Sequence, residues 1–329
     1  MFTDLIHETK EAHGMPALGA AVLRHDRVIA SHVAGVRRLG VETAVTPDDH
    51  FHIGSNTKAM LTTVAAMLVE EGRLTWDARP ADLLPELRDA LHPDYAGVTL
   101  RQLFTHQAGL PPYEEDEEFV DLPPFPADPV AQRRAFAAWV LSRPPFLPPG
   151  SDFRYSNAGY GIAAAMLEAA SGAAWDVLLQ TRLFAPLGMR AGFGWPAAAG
   201  ADQPWGHRFA DGRLIPHSPD DDYQLEPIIA PAGDVHVAFA DYPRFLQLHL
   251  RGLRGEGALL SPDMFRTLHT PIGRSALGWG VQPFQGTTIS VHTGSADTFF
   301  AIQLLAPELD FGIIVVTNAF SDAIEKGCI

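Results

Sequence analysis

The sequence predicts a mixed α/β protein: an antiparallel sheet flanked by helices, with a mostly helical lobe inserted into it. Three observations predict this. Segments with strand-like patterning lie near both ends, over 17–35 and over 279–317. The C-terminal strands are joined by turns too short for anything but antiparallel neighbours. The interval 76–219 alternates helical periodicity with proline-rich loops. Strands from both ends must then pair in one sheet, so 1–75 plus 220–329 are expected to form an α/β sheet domain and 76–219 an inserted, mainly helical one.

Taken in order, the chain opens with a short amphipathic helix, followed by a hairpin over 17–35 that turns at His25-Asp-Arg27. A run of apolar residues at helical spacing then starts beside Ser55 and stops at Gly72. The stretch 111–149 holds 10 of the 27 prolines and the acidic run Glu114-Glu-Asp-Glu-Glu118, and reads as a loop with one embedded helix. An acidic run is ordinarily a solvated face, but its position makes this one a candidate rim over a cleft. Helical patterns occupy 131–142 and 159–172, and strands are expected over 279–284, 287–293, 298–306 and 311–317. Their turns fall at Gly294-Ser-Ala-Asp297 and Pro307-Glu-Leu-Asp310.

Composition narrows the function. At 329 residues and 47% hydrophobic content, the chain can bury one or two cores. A net charge of −15 with no Lys/Arg-rich stripe argues against a nucleic-acid partner, which needs a basic footprint. The single cysteine, Cys328, excludes an intrachain disulfide and a cysteine-based zinc cluster. No run of about 18 apolar residues occurs, and the first ten residues lack a basic segment followed by an apolar one. The expectation is a cytoplasmic protein as written, or an exported one if a leader has been removed, with no membrane partner and a small molecule as substrate.

The chemistry starts in Phe51-His-Ile-Gly-Ser-Asn-Thr-Lys58. A serine on the first turn of a buried helix with a lysine three residues later shares a face with it, so the Lys58 amine can reach the Ser55 hydroxyl. The helix N-terminus favours developing negative charge on that oxygen. Alone, the pattern is equally a helix cap followed by a surface lysine. Two further segments, Pro149-Gly-Ser-Asp-Phe-Arg-Tyr-Ser-Asn157 and Val291-His-Thr-Gly294, change the balance.

With these three segments in this order, the chain resembles the serine β-lactamase superfamily, on the branch of class C β-lactamases, related esterases, D-aminopeptidases and low-molecular-weight penicillin-binding proteins. The family's Ser-x-x-Lys, Tyr-x-Asn and Lys-Thr-Gly or His-x-Gly motifs match Ser55-Asn-Thr-Lys58, Tyr155-Ser-Asn157 and His292-Thr-Gly294. Family-typical stretches also occur at Leu103-Phe-Thr-His-Gln-Ala-Gly-Leu110, Leu183-Phe-Ala-Pro-Leu-Gly-Met189 and Pro231-Ala-Gly-Asp234. The resemblance implies the β-lactamase/transpeptidase-like fold and a cofactor-independent hydrolase, and no metal is expected because no His-Glu-x-x-His helix appears among the 14 histidines. It implies that Tyr155 and Lys58 share proton transfer in both acylation and deacylation, and that the oxyanion hole is the backbone N–H of Ser55 and of Ser295.

Acyl transfer assigns Ser55 as nucleophile, with Lys58 and Tyr155 as the other catalytic residues, and Asn157, His292, Thr293, Gly294 and Ser295 as substrate-binding residues. Lys58 acts as base if neutral; if charged, it lowers the proton affinity of the Tyr155 phenol. Asn157 is expected to hydrogen-bond Lys58 or a substrate amide. Gly294 permits close substrate approach. His292 departs from most β-lactamases, which carry lysine there, and a mostly neutral imidazole is a poor counter-charge for a β-lactam carboxylate.

Glu168 lies in a helical pattern without the context of a deacylating glutamate. His106 reads as structural, and Trp279 as either a cleft wall or a core aromatic. Asp48-Asp-His50 and Asp220-Asp-Asp222 read as solvated loops. The function expected is a serine hydrolase of an ester or amide, favoured as a carboxylesterase. Alternatives are a D-amino-acid amidase or aminopeptidase, a weak β-lactamase, or a sensor that acylates without turnover.

Overall fold

The computed structural model describes residues 1–25, 27–200, 202–221 and 224–329. Within them the strands run, in chain order, β1 (Ala17–Arg24), β2 (Arg27–Gly35), β3 (His50–His52), β4 (Ala191–Phe193), β5 (His207–Ala210), β6 (Arg213–Pro216), β7 (Val235–Ala238), β8 (Ser275–Ala276), β9 (Trp279–Phe284), β10 (Thr287–Ser295), β11 (Phe300–Ala306), β12 (Phe311–Thr317) and β13 (Ala319–Phe320). Seven make one antiparallel sheet in the order β2-β1-β12-β11-β10-β9-β8. The two chain ends meet at the β1–β12 seam, from Leu18 opposite Thr317 to Arg24 opposite Phe311. The pairing of N- and C-terminal strands expected from short turns is therefore the central feature of the fold.

Period-two burial sets the two faces of the sheet. Along β12, Gly312, Ile314 and Val316 are buried, while Phe311, Ile313 and Val315 are only partly covered. The inner face packs against the Pro243–Leu253 and Pro262–His269 helices, and behind them lies α2 (Thr57–Glu70), in which every residue from Thr57 to Leu68 is buried. A helix buried on all sides belongs in the interior, and this one lies among the Asn157–Ser171, Trp175–Leu179 and Pro262–His269 helices. Glu71 closes it, and Gly72, at φ +73°, turns the chain away. On the outer face, α1 (Phe2–Ala12) and the Asp322–Cys328 helix pack Ile6 and Ile324 with Met15, Leu18 and Ala34. A trough of about 700 Å³, lined by Ile289, Ile302, Leu304 and Ile313 among others, remains along the sheet. It reaches Tyr155 and His292 but not Ser55.

The intervening helices form around the Asn157–Ser171 helix. Ser156 caps it by accepting a hydrogen bond from Gly159 N–H (3.3 Å), and Gly172 ends it in the left-handed conformation. The Pro129–Leu141 helix is capped by Asp128, whose Oδ2 accepts from Ala131 N–H (2.8 Å). A buried Arg133–Glu168 ion pair locks these two helices together.

The expected turn at His25-Asp-Arg27 contains Asp26, which lies outside the described residues. Ser55 sits in a 3₁₀ turn, Gly54–Asn56, just before α2 rather than on its first α-helical turn. β10 continues through Ser295, so His292, Thr293 and Gly294 lie inside a strand rather than at its end. Two three-stranded sheets, β3-β7-β4 and β13-β5-β6, have no counterpart in the expected elements. Strands of two to four residues carry too little alternation to be read. Among the described residues, no single helix is long and apolar enough to cross a membrane.

Candidate active site

The turn carrying Ser55 is pinned from several sides. Thr57 Oγ1 donates to the Gly54 carbonyl (2.7 Å) and accepts from Val235 N–H on β7 (3.2 Å). Asn56 Nδ2 donates to the carbonyls of Ile53 (2.9 Å) and of Ala301 on β11 (3.1 Å). Two glycines let this turn press against β10. A Cβ on Gly294 would stand 2.6 Å from Ser55 N, and one on Gly54 would stand 2.5 Å from Ser295 N. Gly54 also has φ +51°, which favours glycine. The backbones of Ser55 and Ser295 are thus brought together as an oxyanion site built from these two N–H groups requires. The Ser295 hydroxyl is turned away, donating to the Phe299 carbonyl (2.9 Å).

Lys58 follows Ser55 by three residues and lies wholly buried. Its Nζ is 3.0 Å from Ser55 Oγ, 2.8 Å from Asn157 Oδ1 and 2.8 Å from the Ala232 carbonyl. The Asn157 orientation is set by its other end, since Nδ2 donates to the Tyr113 carbonyl (2.9 Å), which leaves Oδ1 to face Lys58. Two of the three neighbours of Nζ are therefore acceptors only. A neutral amine gives its two hydrogens to them and keeps its lone pair for the Ser55 hydroxyl.

Burial pushes the Lys58 pKa well below its ordinary value, against a smaller opposing effect of Glu114. The Tyr155 and Tyr160 rings, 4.8 and 5.2 Å away, favour the ammonium. Desolvation is the largest influence on the amine, and it favours the neutral form.

Tyr155 donates its O–H to Ser55 Oγ at 2.8 Å. Burial raises its pKa further above the ordinary phenol value, which favours the protonated form. Its ring is stacked on His106, with centroids 4.5 Å apart and planes at 29°. His106 adopts φ +58°, and its Nδ1 accepts from Ser156 N–H (3.1 Å). It positions the Tyr155-Ser156-Asn157 segment without touching Ser55, in keeping with a structural role.

His292 lies on β10, 6.4 Å from the Tyr155 ring between centroids. Desolvation and the nearby Lys58 bring its pKa down to about 4. Its Nδ1 donates to the Thr293 carbonyl (2.6 Å) in the neutral tautomer that this pKa favours. The cavity before Ser55, about 360 Å³, is lined by Tyr155, Asn157, the run His292 to Ser295, Phe300, Phe320 and the carboxyl residues Glu114 and Glu325. All eight residues expected from the sequence therefore meet at one place: Lys58 behind Ser55, and the other six around the cavity that Ser55 opens on.

Sequence reasoning missed two contributors. The Ala232 carbonyl holds Lys58, and only the family-typical Pro231-Ala-Gly-Asp234 stretch pointed there. Glu114 comes from the acidic run taken as a rim. Other candidates resolve away from the site. Glu168 is buried against Arg133, and its Oε1 also accepts from Trp175 N–H (3.0 Å), so it is no deacylating base. Trp279 is both core aromatic and wall, buried and stacked on Phe245 and part of the lining of the trough along the sheet.

Asp48-Asp-His50 is not simply a solvated loop, because Asp49 is buried in a two-bond pair with Arg37 and His50 opens β3. Asp220 and Asp221 are exposed, and Asp222 lies outside the described residues. Among the described residues, no group of three or more His, Cys, Asp or Glu is placed to hold a metal ion.

Comparison with known proteins shows the family of the chain. Penicillin-binding protein 4 of Amycolatopsis lactamdurans is 29% identical over 325 residues, covering 93% of this chain and 81% of that protein. An unguisins hydrolase of Aspergillus campestris is 24% identical over 335 residues, covering 96% of this chain; the match spans 61% of the hydrolase. The octameric penicillin-binding protein homologue from Pyrococcus abyssi matches in structure with a TM-score of 0.81 at 21% identity, over 99% of this chain and 74% of that one. SurE matches with a TM-score of 0.80 at 24% identity, over 99% and 72%. At such identities the structural likenesses speak for the fold alone. The Beta-lactamase family itself matches residues 2–326, nearly end to end, and the chain belongs to that family.

Proposed function

We propose that this chain is a cofactor-independent serine hydrolase that cleaves an ester or amide through an acyl-Ser55 intermediate, with small carboxylic esters as its favoured substrates. One observation carries the reading: Ser55 Oγ lies within hydrogen-bond distance of both Lys58 Nζ (3.0 Å) and Tyr155 O–H (2.8 Å). The neutral Lys58 amine takes the Ser55 proton as Oγ bonds to the substrate carbonyl carbon. The oxyanion is met by the Ser55 and Ser295 N–H groups, donors worth about 3–4 kcal/mol each in acyl-transfer enzymes. Tyr155 passes a proton to the departing alcohol or amine and is reprotonated from Lys58. Deacylation reverses the relay, with water in place of the alcohol.

His292 supports an esterase or amidase over a dedicated β-lactamase. With a pKa of about 4 it carries no charge at neutral pH to hold a substrate carboxylate. The second reading is amide cleavage at a D-amino acid, in keeping with a relative named as an unguisins hydrolase.

The test is turnover of a short-chain nitrophenyl ester, with intact-mass detection of the acyl-enzyme. The wild type should turn over the ester, and Ser55→Ala should lose about 10³-fold or more of the rate together with the adduct. Turnover that survives in Ser55→Ala would overturn the assignment.

A further inference from the structure

The cavity before Ser55 carries two carboxylates on its wall, Glu114 from the loop that follows Tyr113 and Glu325 from the Asp322–Cys328 helix. The place of Glu114 is built by the same residues that build the site. Three successive carbonyls just before it are tied to the start of the Asn157–Ser171 helix: Ser156 Oγ donates to Pro111 (2.6 Å), Asn157 N–H to Pro112 (2.7 Å) and Asn157 Nδ2 to Tyr113 (2.9 Å). Tyr113 then takes φ +52°, a left-handed conformation that a tyrosine adopts only under constraint.

Beyond it, Glu114 N–H donates to Glu118 Oε2 (2.8 Å), which folds the rest of the acidic run back on itself. Among the described residues, the Glu114 carboxylate has no ion-pair partner. With Lys58 neutral, Arg154 is the cation near enough to influence it, and Glu115 and Glu118 are like charges.

No basic side chain other than His292 lines this cavity, and His292 is neutral near pH 7. A substrate carboxylate entering here would meet two like charges, whereas an ammonium would meet two counter-charges. The chain's overall charge of −15 adds a long-range preference for cations.

We propose that Glu114, seconded by Glu325, is a specificity-determining residue that binds a substrate ammonium, so that the acyl groups transferred to Ser55 are those of amino acids rather than of simple or carboxylate-bearing acids. The proposal rests on the acyl-Ser55 reading and narrows its substrate class. The ammonium sits on the acyl portion, between the reacting carbonyl over Ser55 and the Glu114 side of the cavity.

The experiment compares alanine benzyl ester with N-acetylalanine benzyl ester, each as both enantiomers. N-acetylation removes the charge and retains the scissile bond. Hydrolysis is followed for the wild type, Glu114→Gln, Glu114→Asp and Glu325→Gln at low and high salt, with intact-mass detection of the acyl-enzyme.

For one enantiomer the wild type should favour the free amine by about five- to tenfold in kcat/KM, and high salt should weaken that preference. Glu114→Gln should bring the ratio towards one through KM, Glu114→Asp should retain part of it, and Glu325→Gln should reduce it less. Equal kcat/KM for the two esters in the wild type, or an unchanged ratio in Glu114→Gln, overturns the ammonium proposal. If both esters acylate Ser55 equally, only this proposal falls. If neither acylates Ser55, the hydrolase reading falls with it.

Discussion

Among the described residues one lysine and one arginine, Lys58 and Arg133, are buried, on two helices that both pack against the Asn157–Ser171 helix, and they are treated in opposite ways. Arg133 faces a carboxylate, with Nη2 2.5 Å from Glu168 Oε1 and Nε 3.2 Å from both oxygens, and it caps the Pro227 carbonyl with Nη1 (3.1 Å). Lys58 faces a hydroxyl, an amide oxygen and a backbone carbonyl, and no carboxylate. A guanidinium remains charged under any such burial, so it has to be paired, and its pair ties two helices together. An amine can give up its proton instead, and burial among neutral acceptors makes it do so. The difference separates a structural cation from a base: what decides the role is the charge of the partner rather than the depth of burial.

Removing each group should break different properties. Lys58→Ala is expected to lower kcat/KM by about 10³-fold, within the range for loss of a general base. Its stability should fall by less than that of the other variant, because the adjoining cavity lets water reach the acceptors it leaves. Glu168→Ala strands the Arg133 charge and should cost about 3–5 kcal/mol of stability in urea melts, while activity per folded molecule stays within the same decade. Similar losses of stability in both variants, or a 10³-fold loss of activity in Glu168→Ala, would erase the distinction.

A finer test makes the lysine resemble the arginine. Asn157→Asp gives Lys58 a carboxylate partner, which favours the charged amine and should raise its pKa by about 1–3 units. A higher pKa means that the free base forms only at higher pH, so the acid limb of the kcat/KM profile should move up by the same amount. Activity at pH 7 then falls and is partly recovered on raising the pH. An acid limb that stays in place would mean that it reports some group other than Lys58.

Much of this was legible in the sequence where one signal carries one consequence. The ends of β9 and β12 match the expected 279–284 and 311–317 because each is an unbroken strand pattern between turn residues. The Ser55–Lys58 contact follows from a three-residue separation on helical backbone.

What was not legible lies in the backbone and in long-range approach. The carbonyls of Ala232 and Tyr113 complete the surroundings of Lys58 and Asn157, and a carbonyl leaves no mark on residue type. Glu114 belongs to a run whose composition says only that it is solvated. The close passage of the Ser55 turn against β10 needs Gly54 and Gly294 together, 240 positions apart, and neither glycine announces its partner.

The most direct measurement is a ¹³C NMR titration with ε-labelled lysine. The chain has only three lysines, Lys10, Lys58 and Lys326, so Lys58→Arg identifies the resonance of interest by its loss. The account predicts that the Lys58 signal titrates well below the ordinary lysine value of about 10.4. A Lys58 signal that titrates at the ordinary lysine value would contradict the neutral-amine base, and with it the central difference between Lys58 and Arg133.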